Sequence, residues 1–258
     1  MNGRRDPLDY SGRVVIVTGG GRGVGRGITE GFIAAGANVV VSSRQEPEVL
    51  PQRALFLPAD VREADQIEAV VAGTIGRFGR LDVLVNNAGG APPADTDTAS
   101  PRFTEKIVSL NLIAPLVFAQ RVNAVMQLQG QGGSIVNIAS VSGTRPTPGG
   151  AAYGAAKAGL LNLTETLAVE WAPKVRVNAI VVGMVLTEQA ELHYGDDAGV
   201  KAASATVPMG RLADPSDVAD ACKYLASPLA RYVTGAHLEL HGGGERPAYL
   251  DAVDEARP

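Results

Sequence analysis

Short apolar runs rich in β-branched residues recur along the whole chain, separated by segments long enough for helices. The runs predicted as strands are Val14–Val17, Val39–Val41, Val83–Val85, Ser134–Ile138 and Val175–Val182, with Leu238–Leu240 as a weaker last candidate. The segments predicted as helices are Gly25–Ala35, Glu63–Phe78, Arg102–Leu128, Ala151–Trp171 and Pro215–Ala226. Continuously apolar runs are typical of parallel strands covered on both faces. Their alternation with helices predicts an α/β fold with right-handed βαβ units in one doubly wound parallel sheet.

No linker, low-complexity tract or repeat divides the 258 residues, so a single domain is predicted. One long connection, Gly183–Val207, follows a predicted strand and carries several acidic residues. Connections of this length in a compact domain are usually functional, and we expect a substrate lid there. The polar ends, Met1–Asp9 and about Asp251–Pro258, are expected to be mobile.

Composition excludes several classes of partner. The 23 basic and 27 acidic residues give a net charge of −4, which argues against a nucleic-acid or anionic-membrane binder. The single cysteine, Cys222, and the three histidines give neither a disulfide framework nor the spacing of a zinc site, so no metal is expected. We expect no membrane span, because no apolar run approaches about 20 residues, and a cytoplasmic location follows as the default.

The chain is rich in glycine, with 31 in 258 residues, and several of these glycines lie together in one turn. Directly after the first predicted strand comes Thr18-Gly19-Gly20-Gly21-Arg22-Gly23-Val24-Gly25, which opens into a helix. Glycines let the backbone approach a ligand closely, and the amides of a helix N-terminus suit a pyrophosphate. Alone, such a run is also compatible with a flexible turn. Its position between a strand and a helix favours dinucleotide binding.

The spacing T-G-x-x-x-G-x-G and the motifs downstream resemble the short-chain dehydrogenase/reductase family, in its shorter single-domain branch. The resemblance implies a Rossmann-type sheet of about seven strands and a nicotinamide cofactor. The cofactor contacts implied so far are Gly19, Gly23, Val24 and Gly25 in the turn, the adenine-contacting pair Asp60 and Val61, and Asn87, Ala88 and Gly89 of the N-N-A-G motif.

Four residues match the catalytic positions of the family: Asn111, Ser140, Tyr153 and Lys157. Ser140 stands thirteen positions before Tyr153, and Lys157 stands four after it. Tyr and Lys at this spacing are by themselves mostly a solvated helix face, and the ordered series of motifs favours catalysis. The resemblance makes Tyr153 the acid/base, Ser140 a hydrogen-bond donor to the substrate oxygen, and Lys157 a contact of the nicotinamide ribose. Because a neighbouring ammonium favours the phenolate, Lys157 is also expected to lower the pKa of Tyr153.

Asn111 lies four residues before Pro115, which has no N–H to bond the Asn111 carbonyl in an α-helix. We therefore expect a kinked helix there. In the family, the freed carbonyl holds a water that links Lys157 to solvent.

The segment from Arg176 to Gly183 resembles the family's R-V-N-x-I-x-P-G, which is followed by a threonine. The resemblance implies nicotinamide-side contacts from Gly183, the backbone of Val185 and the hydroxyl of Thr187. Val182 departs from the family, which usually has at this position a proline that stiffens the turn on the nicotinamide side. His241 stands where D-G-G is common, and we assign it no catalytic role.

The end of the second strand predicts the cofactor type. Enzymes of this fold that use NAD normally carry an acidic residue there, and this chain has Ser43 followed by Arg44. A serine hydroxyl and a guanidinium suit a 2′-phosphate, and Arg22 of the glycine turn is placed to approach the same group. We therefore expect NADP(H), with NAD(H) as the alternative. Both arginines are also compatible with a solvated surface.

The resemblance, from about Asp9 to Gly244, predicts hydride transfer between a nicotinamide and a secondary alcohol or ketone. Apolar residues near the lid favour a hydrophobic small-molecule substrate, such as a 3-oxoacyl thioester or a steroid-like ketone; they are Met184, Leu186, Leu192 and Met209. The same residues are also compatible with lid packing. The alternatives are a non-catalytic dinucleotide sensor or scaffold, and a sugar-nucleotide epimerase or dehydratase, which the glycine spacing and the missing C-terminal substrate domain disfavour.

The long helices Arg102–Leu128 and Ala151–Trp171 carry more apolar residues than one sheet-facing stripe needs, for instance Leu116, Val117, Leu160, Leu161 and Leu163. Surplus apolar surface indicates a subunit contact. Because members of the family commonly form tetramers through these helices, we expect a homotetramer, with a dimer as the next alternative.

Overall fold

The structure, a computed structural model, describes residues 6–190, 194–245, 247, 250, 253 and 256. Its strands are β1 Val14–Thr18, β2 Asn38–Ser43, β3 Ala54–Pro58, β4 Val83–Asn86, β5 Gly133–Ser140, β6 Val175–Val182 and β7 His237–Leu240. All pair in parallel, in the order β3-β2-β1-β4-β5-β6-β7. The predicted doubly wound sheet is confirmed. Its strand order reverses between β1 and β4, where open α/β sheets bind ligands at the carboxyl ends of the strands.

Helices cover both faces of the sheet. The α-helices are α1 Gly23–Ala34, α2 Ala64–Phe78, α3 Pro101–Val108, α4 Ala114–Leu128, α5 Ala151–Trp171, α6 Asp197–Ala205 and α7 Pro215–Ala226. A π-helical turn, Ser109–Ile113, joins α3 to α4. The predicted helix Arg102–Leu128 is therefore continuous but contains a change of helical pitch, and the predicted lid contains α6.

Two hydrophobic layers sandwich the sheet, because alternate residues of each strand face opposite sides. Ile16 of β1 packs in the layer that includes Ile67 of α2 and Phe118 of α4. Its neighbour Val17 packs in the other layer, which includes residues of α1 and α7. Burial on both faces is why these strands are apolar at every position. The edge strand β3 is only half buried. Its apolar pattern is therefore weaker than that of the central strands, and the sequence did not predict its bounds.

The prediction that Leu160 and Leu161 belong to a surplus apolar surface is wrong. Leu160 and Leu161 of α5 are buried in the chain's own core, with 0% and 6% of their surface exposed. Leu116, Val117 and Leu163 are partly buried against the same domain. The large apolar residues of these helices that are exposed are instead Ile113, Leu128 and Val169. Residue counting could not separate these sets, because α5 is apolar on most of its circumference.

The helical stretch Pro101–Leu128 is long and apolar enough to cross a membrane by length and composition alone. This corrects the expectation that no stretch of the chain approaches that length. A core helix meets the same criterion, so the observation is weak evidence for a span. Here Phe118, Ala119, Val122 and Met126 are buried against the sheet, with no more than 1% of their surface exposed.

Candidate active site

The glycine turn lies between β1 and α1 at the point where the strand order reverses. Gly19 has a φ of +65° and Gly23 a φ of +51°, values that L side chains rarely adopt. A Cβ at Gly25 would lie 2.2 Å from the Gly19 carbonyl oxygen, so the turn closes only with glycine there. Arg22 is the N-cap of α1, and its side chain makes no capping hydrogen bond. The amide of Gly23 donates to a carboxylate oxygen of Glu188 at 2.8 Å, which shows that this turn accepts an anion.

Thr18 ties the glycine turn to the end of β4, a role that the sequence did not reveal. Its Oγ1 accepts hydrogen bonds from the amides of Asn87 and Ala88, both at 2.9 Å. The Asn87 side chain donates in return to the Thr18 carbonyl at 2.9 Å. The Asn87 amide group is therefore part of the frame of the site. The sequence feature that could have indicated this role is the position of Thr18 as the first residue of the glycine motif.

Asp60 lies in the loop after β3, and its carboxylate is held by the Arg62 side chain and backbone. The Arg62 hydrogen bond lowers the pKa of Asp60 to about 2, with a smaller contribution from the charge of Arg44. Val61, beside it, is buried. This loop therefore places an ionised carboxylate next to a buried apolar side chain, and the predicted contact with an adenine ring stays a prediction.

Arg22 and Arg44 are both exposed on neighbouring turns, after β1 and β2. The hydroxyl of Ser43, the last residue of β2, donates to the Gln45 carbonyl at 2.7 Å. Arg44 lies close enough to Asp60 to influence the pKa of that carboxyl. The structure thus brings the predicted phosphate-binding residues to one edge of the site.

Asn111 is fully buried in the π-helical turn, so the predicted break in the helix takes the form of a wider turn at this residue. Its side-chain oxygen accepts from the Gly90 amide at 2.8 Å, and its nitrogen donates to the carbonyls of Gly90 and Ile107. A Cβ at Gly89 would lie 2.7 Å from the Asn111 Oδ1 and 3.4 Å from the Lys157 Nζ. Glycine at position 89 therefore lets the end of β4 pack between Asn111 and Lys157.

Ser140, Tyr153 and Lys157 meet where β5 ends and α5 begins. Ser140 is the last residue of β5, and its side chain lies close enough to the Tyr153 hydroxyl to lower the pKa of that group. The Lys157 Nζ lies 5.6 Å from the centre of the Tyr153 ring and donates to the Ile138 carbonyl at 2.7 Å. Ser142, the neighbouring serine, contacts Ser140 only through its backbone amide in this network. The three residues singled out by their spacing therefore form one cluster.

Burial dominates the electrostatics of this cluster. Burial raises the pKa of Tyr153, and the nearby Ser140 side chain opposes that rise. Burial lowers the pKa of Lys157 to about 8. This differs from the expectation that Lys157 lowers the pKa of Tyr153, because desolvation disfavours the charged form of both groups.

A buried polar chain runs beneath the cluster and was missed from sequence. The Asn86 side chain donates to Asn137 of β5 at 2.9 Å and to the Pro115 carbonyl at 3.1 Å. Asn137 donates to the Thr164 hydroxyl of α5 at 2.9 Å. These bonds connect α4, the two central strands and α5, so they fix the helix of Asn111 relative to the helix of Lys157. The available signal was a polar residue inside an otherwise apolar strand.

The end of β6 and the residues that follow it contain the nicotinamide-side positions predicted from sequence. Val182 pairs with Ser140 and Leu240 as a regular strand residue, so valine extends β6 where the family usually has proline. The Gly183 amide donates to the Leu240 carbonyl, and Val185 forms a bridge with Ala213. The Thr187 hydroxyl accepts from the Gln189 amide.

His241 packs beside Gly183, and its Nε2 lies 3.0 Å from the Glu239 carboxylate. These contacts give it a structural partner, and the assignment of no catalytic role stays a prediction. Among the residues that the structure describes, no group of three or more His, Cys, Asp or Glu side chains is placed to hold a metal ion.

Known proteins resemble this chain over most of its length. A sequence model of the family described as enoyl-(acyl carrier protein) reductase matches residues 19–245. A 7alpha-hydroxysteroid dehydrogenase of Bacteroides fragilis is 32% identical over 248 residues, covering 91% of this chain and 95% of that protein. A 3-oxoacyl-(acyl-carrier-protein) reductase of Vibrio cholerae is 34% identical over 247 residues, covering 92% and 98%. The ligand-free structure of an aldohexose dehydrogenase of Thermoplasma acidophilum superposes with a TM-score of 0.85 at 31% identity, covering 92% and 95%.

The burial of Lys157 predicts a specific pH dependence of stability. Its pKa is about 8 in the folded protein and 10.5 unfolded, so between these values the unfolded chain binds more protons and raising the pH favours folding. Relative to Lys157→Met, the free energy of unfolding of the unmodified protein should rise by roughly 3 kcal/mol from below pH 8 to above pH 10.5. Urea unfolding at a series of pH values measures this difference. The exposed Lys201→Met variant is the control and should show no such trend; a flat difference for Lys157→Met would contradict the prediction.

Proposed function

The chain belongs to the short-chain dehydrogenase/reductase family, and we propose that Ser140, Tyr153, Lys157 and Asn111 are its catalytic residues for interconverting a secondary alcohol and a ketone. The family relation makes the protein a nicotinamide-dependent oxidoreductase acting on alcohol or carbonyl groups. The observation that carries the residue assignment is the convergence of Ser140, Tyr153 and the buried Lys157 at the carboxyl end of β5, with the Lys157 Nζ 5.6 Å from the centre of the Tyr153 ring.

The glycine turn fits a dinucleotide. It already holds a carboxylate on the Gly23 amide, and the glycines around it leave room for a ligand against the backbone. Residues of the turn, of the loop after β3 and of the N-N-A-G motif would hold the cofactor, with Gly183, Val185 and Thr187 on the nicotinamide side. When bound, the nicotinamide supplies or accepts the hydride at the substrate carbon.

Tyr153 moves the proton in this proposal. During reduction its hydroxyl gives a proton to the substrate oxygen, and during oxidation its phenolate removes the proton from the alcohol. Ser140 donates a hydrogen bond to the same oxygen and stabilises the negative charge that develops there. In its ammonium form, Lys157 stabilises the phenolate and positions the ribose. The π-helical turn at Asn111 positions a water that connects Lys157 to solvent.

The substrate we propose is hydrophobic, of the 3-oxoacyl or steroid-like kind. Leu186 and Met209 near the lid are 44% and 68% exposed and are available to an apolar ligand, and Met184 is partly buried beside them. Leu192 lies outside the described residues. Relatives named for 3-oxoacyl and steroid substrates support this choice.

A polyhydroxylated substrate is the second candidate. It is favoured by the similarity to an aldohexose dehydrogenase. Turnover with a panel of ketones, sugars and 3-oxoacyl thioesters, followed by nicotinamide absorbance, distinguishes the two classes.

Removing the Tyr153 hydroxyl should abolish chemistry and leave cofactor binding intact. Tyr153→Phe keeps the ring, so kcat should fall by about 10²- to 10⁴-fold, the usual contribution of a general acid/base. The dissociation constant of the cofactor, measured by calorimetry, should change little, whereas Lys157→Ala should weaken both binding and turnover. Tyr232→Phe, on a fully exposed tyrosine, is the matched control. Near-normal turnover of Tyr153→Phe would show that another group moves the proton.

We propose NADP(H) as the preferred cofactor, with Arg44, Arg22 and Ser43 at the 2′-phosphate. Replacing Ser43 by Asp and Arg44 by Leu should reverse the preference, because a carboxylate repels the phosphate and accepts from the ribose hydroxyls of NAD. The ratio of kcat/KM for the two cofactors should change by about ten- to a hundredfold, since a hydrogen bond to a charged group contributes about 1.5–3 kcal/mol. Arg231→Leu, a remote exposed arginine, should leave the ratio unchanged. A higher kcat/KM of the unmodified protein with NAD(H) would end the phosphate assignment.

The assembly we propose is a homotetramer. The exposed apolar residues Leu128 and Val169, which are 89% and 82% exposed, lie at the ends of α4 and α5 and would be covered by a second copy. Light scattering should return four times the 26.6 kDa chain mass. A mass of one chain at micromolar concentration would refute the assembly, and twice that mass would indicate the dimer. We propose a cytoplasmic location on the same family grounds.

A further inference from the structure

A carboxylate from the lid lies on the first residue of α1. The Glu188 Oε1 accepts the Gly23 amide at 2.8 Å, although the two residues are 165 positions apart. No acidic residue of α1 itself stands in its first turn, and the Arg22 side chain makes no capping bond. The partial positive charge of the helix N-terminus is therefore met by an anion from a different part of the chain.

The turn that carries Glu188 is ordered. It starts from the Val185–Ala213 bridge, and the Leu186 amide donates to the Ala213 carbonyl at 2.8 Å. It closes on Thr187, whose backbone carbonyl accepts from the Ala190 amide at 2.9 Å. The Thr187 methyl group would lie 3.6 Å from a Cβ on Gly23. The lid is thus packed against the glycine turn, and the Glu188 contact is part of that packing.

We propose that the Glu188 carboxylate competes with the cofactor's pyrophosphate for the Gly23 amide at the N-terminus of α1. This inference rests on the proposed function, in which the glycine turn binds the pyrophosphate. The Gly23 amide has one proton to donate, and two anions at one helix N-terminus repel each other. Binding the cofactor therefore requires Glu188 to leave, which releases the turn that follows Thr187.

A second lid residue occupies the other end of the proposed site. The Tyr194 hydroxyl is hydrogen-bonded to the backbone of Val185, the residue proposed to meet the nicotinamide carboxamide. This bond partly offsets the rise that burial causes in the pKa of Tyr194. Two side chains of this segment therefore bind backbone groups of the proposed site. The Glu188 carboxylate binds the Gly23 amide, where we expect the pyrophosphate, and the Tyr194 hydroxyl binds the backbone of Val185, where we expect the nicotinamide carboxamide.

This arrangement weakens the binding of the cofactor. If the competent open form is only a fraction of the population, the apparent dissociation constant rises by the inverse of that fraction. A Glu188–Gly23 contact formed about four-fifths of the time raises it about fivefold. Removing the Glu188 carboxylate should recover most of that factor.

Three variants test the competition: Glu188→Ala, which removes the acceptor; Glu188→Gln, which keeps an amide oxygen without the charge; and Asp197→Asn, which removes one exposed negative charge from α6 of the same lid. The first measurement is hydrogen exchange of the peptide containing Gly23, with cofactor absent. The second is the dissociation constant of NADP⁺ and of inorganic pyrophosphate by calorimetry.

We expect faster exchange at Gly23 and about fivefold tighter binding of both probes in Glu188→Ala, with Glu188→Gln between it and the unmodified protein. Asp197→Asn should match the unmodified protein. Equal tightening by Asp197→Asn and Glu188→Ala would assign the effect to general charge and overturn the competition. Unchanged or weaker binding by Glu188→Ala, or unchanged exchange at Gly23, would also overturn it. If no variant and no unmodified protein binds a nicotinamide dinucleotide, the proposed function itself fails, a result distinct from an unchanged dissociation constant.

Discussion

Hydrogen bonds from the Asn87 and Ala88 amides to the Thr18 hydroxyl fix the relative positions of the ends of β1 and β4. These strands are neighbours at the point where the sheet order reverses, so this one contact sets the width of the crevice. The chain that leaves β1 forms the glycine turn, and the chain that leaves β4 reaches Gly89. The proposed cofactor-binding and catalytic parts of the site are consequently built on one pair of strand ends held together by hydrogen bonds.

The rest of the site contains polar and charged side chains whose burial is unfavourable unless they are hydrogen-bonded. Asn111 and Lys157 have no more than 4% of their surface exposed, and each is hydrogen-bonded to backbone carbonyls. The buried chain through Asn86, Asn137 and Thr164 satisfies its own side chains in the same way. Unpaired polar groups in such positions are strongly destabilising, so the network fixes a single arrangement of the helices around the site. The geometry of the proposed catalytic site and the stability of the fold thus depend on the same hydrogen bonds.

Sequence predicted the parts of the molecule in which a local pattern reports directly on structure. Val14–Val17 and Val175–Val182 were recognisable because residues buried on both faces must be apolar at every position, and the glycine turn because only glycine fits there. The exposed edge strand β3 carries a weaker pattern. The burial of Leu160 and Leu161 depends on how closely α5 approaches the sheet, which apolar content does not encode. The contact between Glu188 and Gly23 joins residues whose sequence separation hides it, and the pKa of Tyr153 depends on desolvation that exists only after folding.

The π-helical turn at Ser109–Ile113 makes the length of this segment part of its function. A π-helical turn contains one residue more than an α-helical turn, so the segment behaves as a single-residue insertion accommodated within a continuous helix. Because the wider turn absorbs the extra residue locally, deleting one residue would restore regular α-helix and leave the flanking helices in nearly the same relative orientation. The deletion would instead remove the widened turn in which the Asn111 side chain binds the backbone of Gly90 and Ile107. Substitutions around this turn leave room for local adjustment, but the number of residues between α3 and α4 is constrained by helical geometry itself.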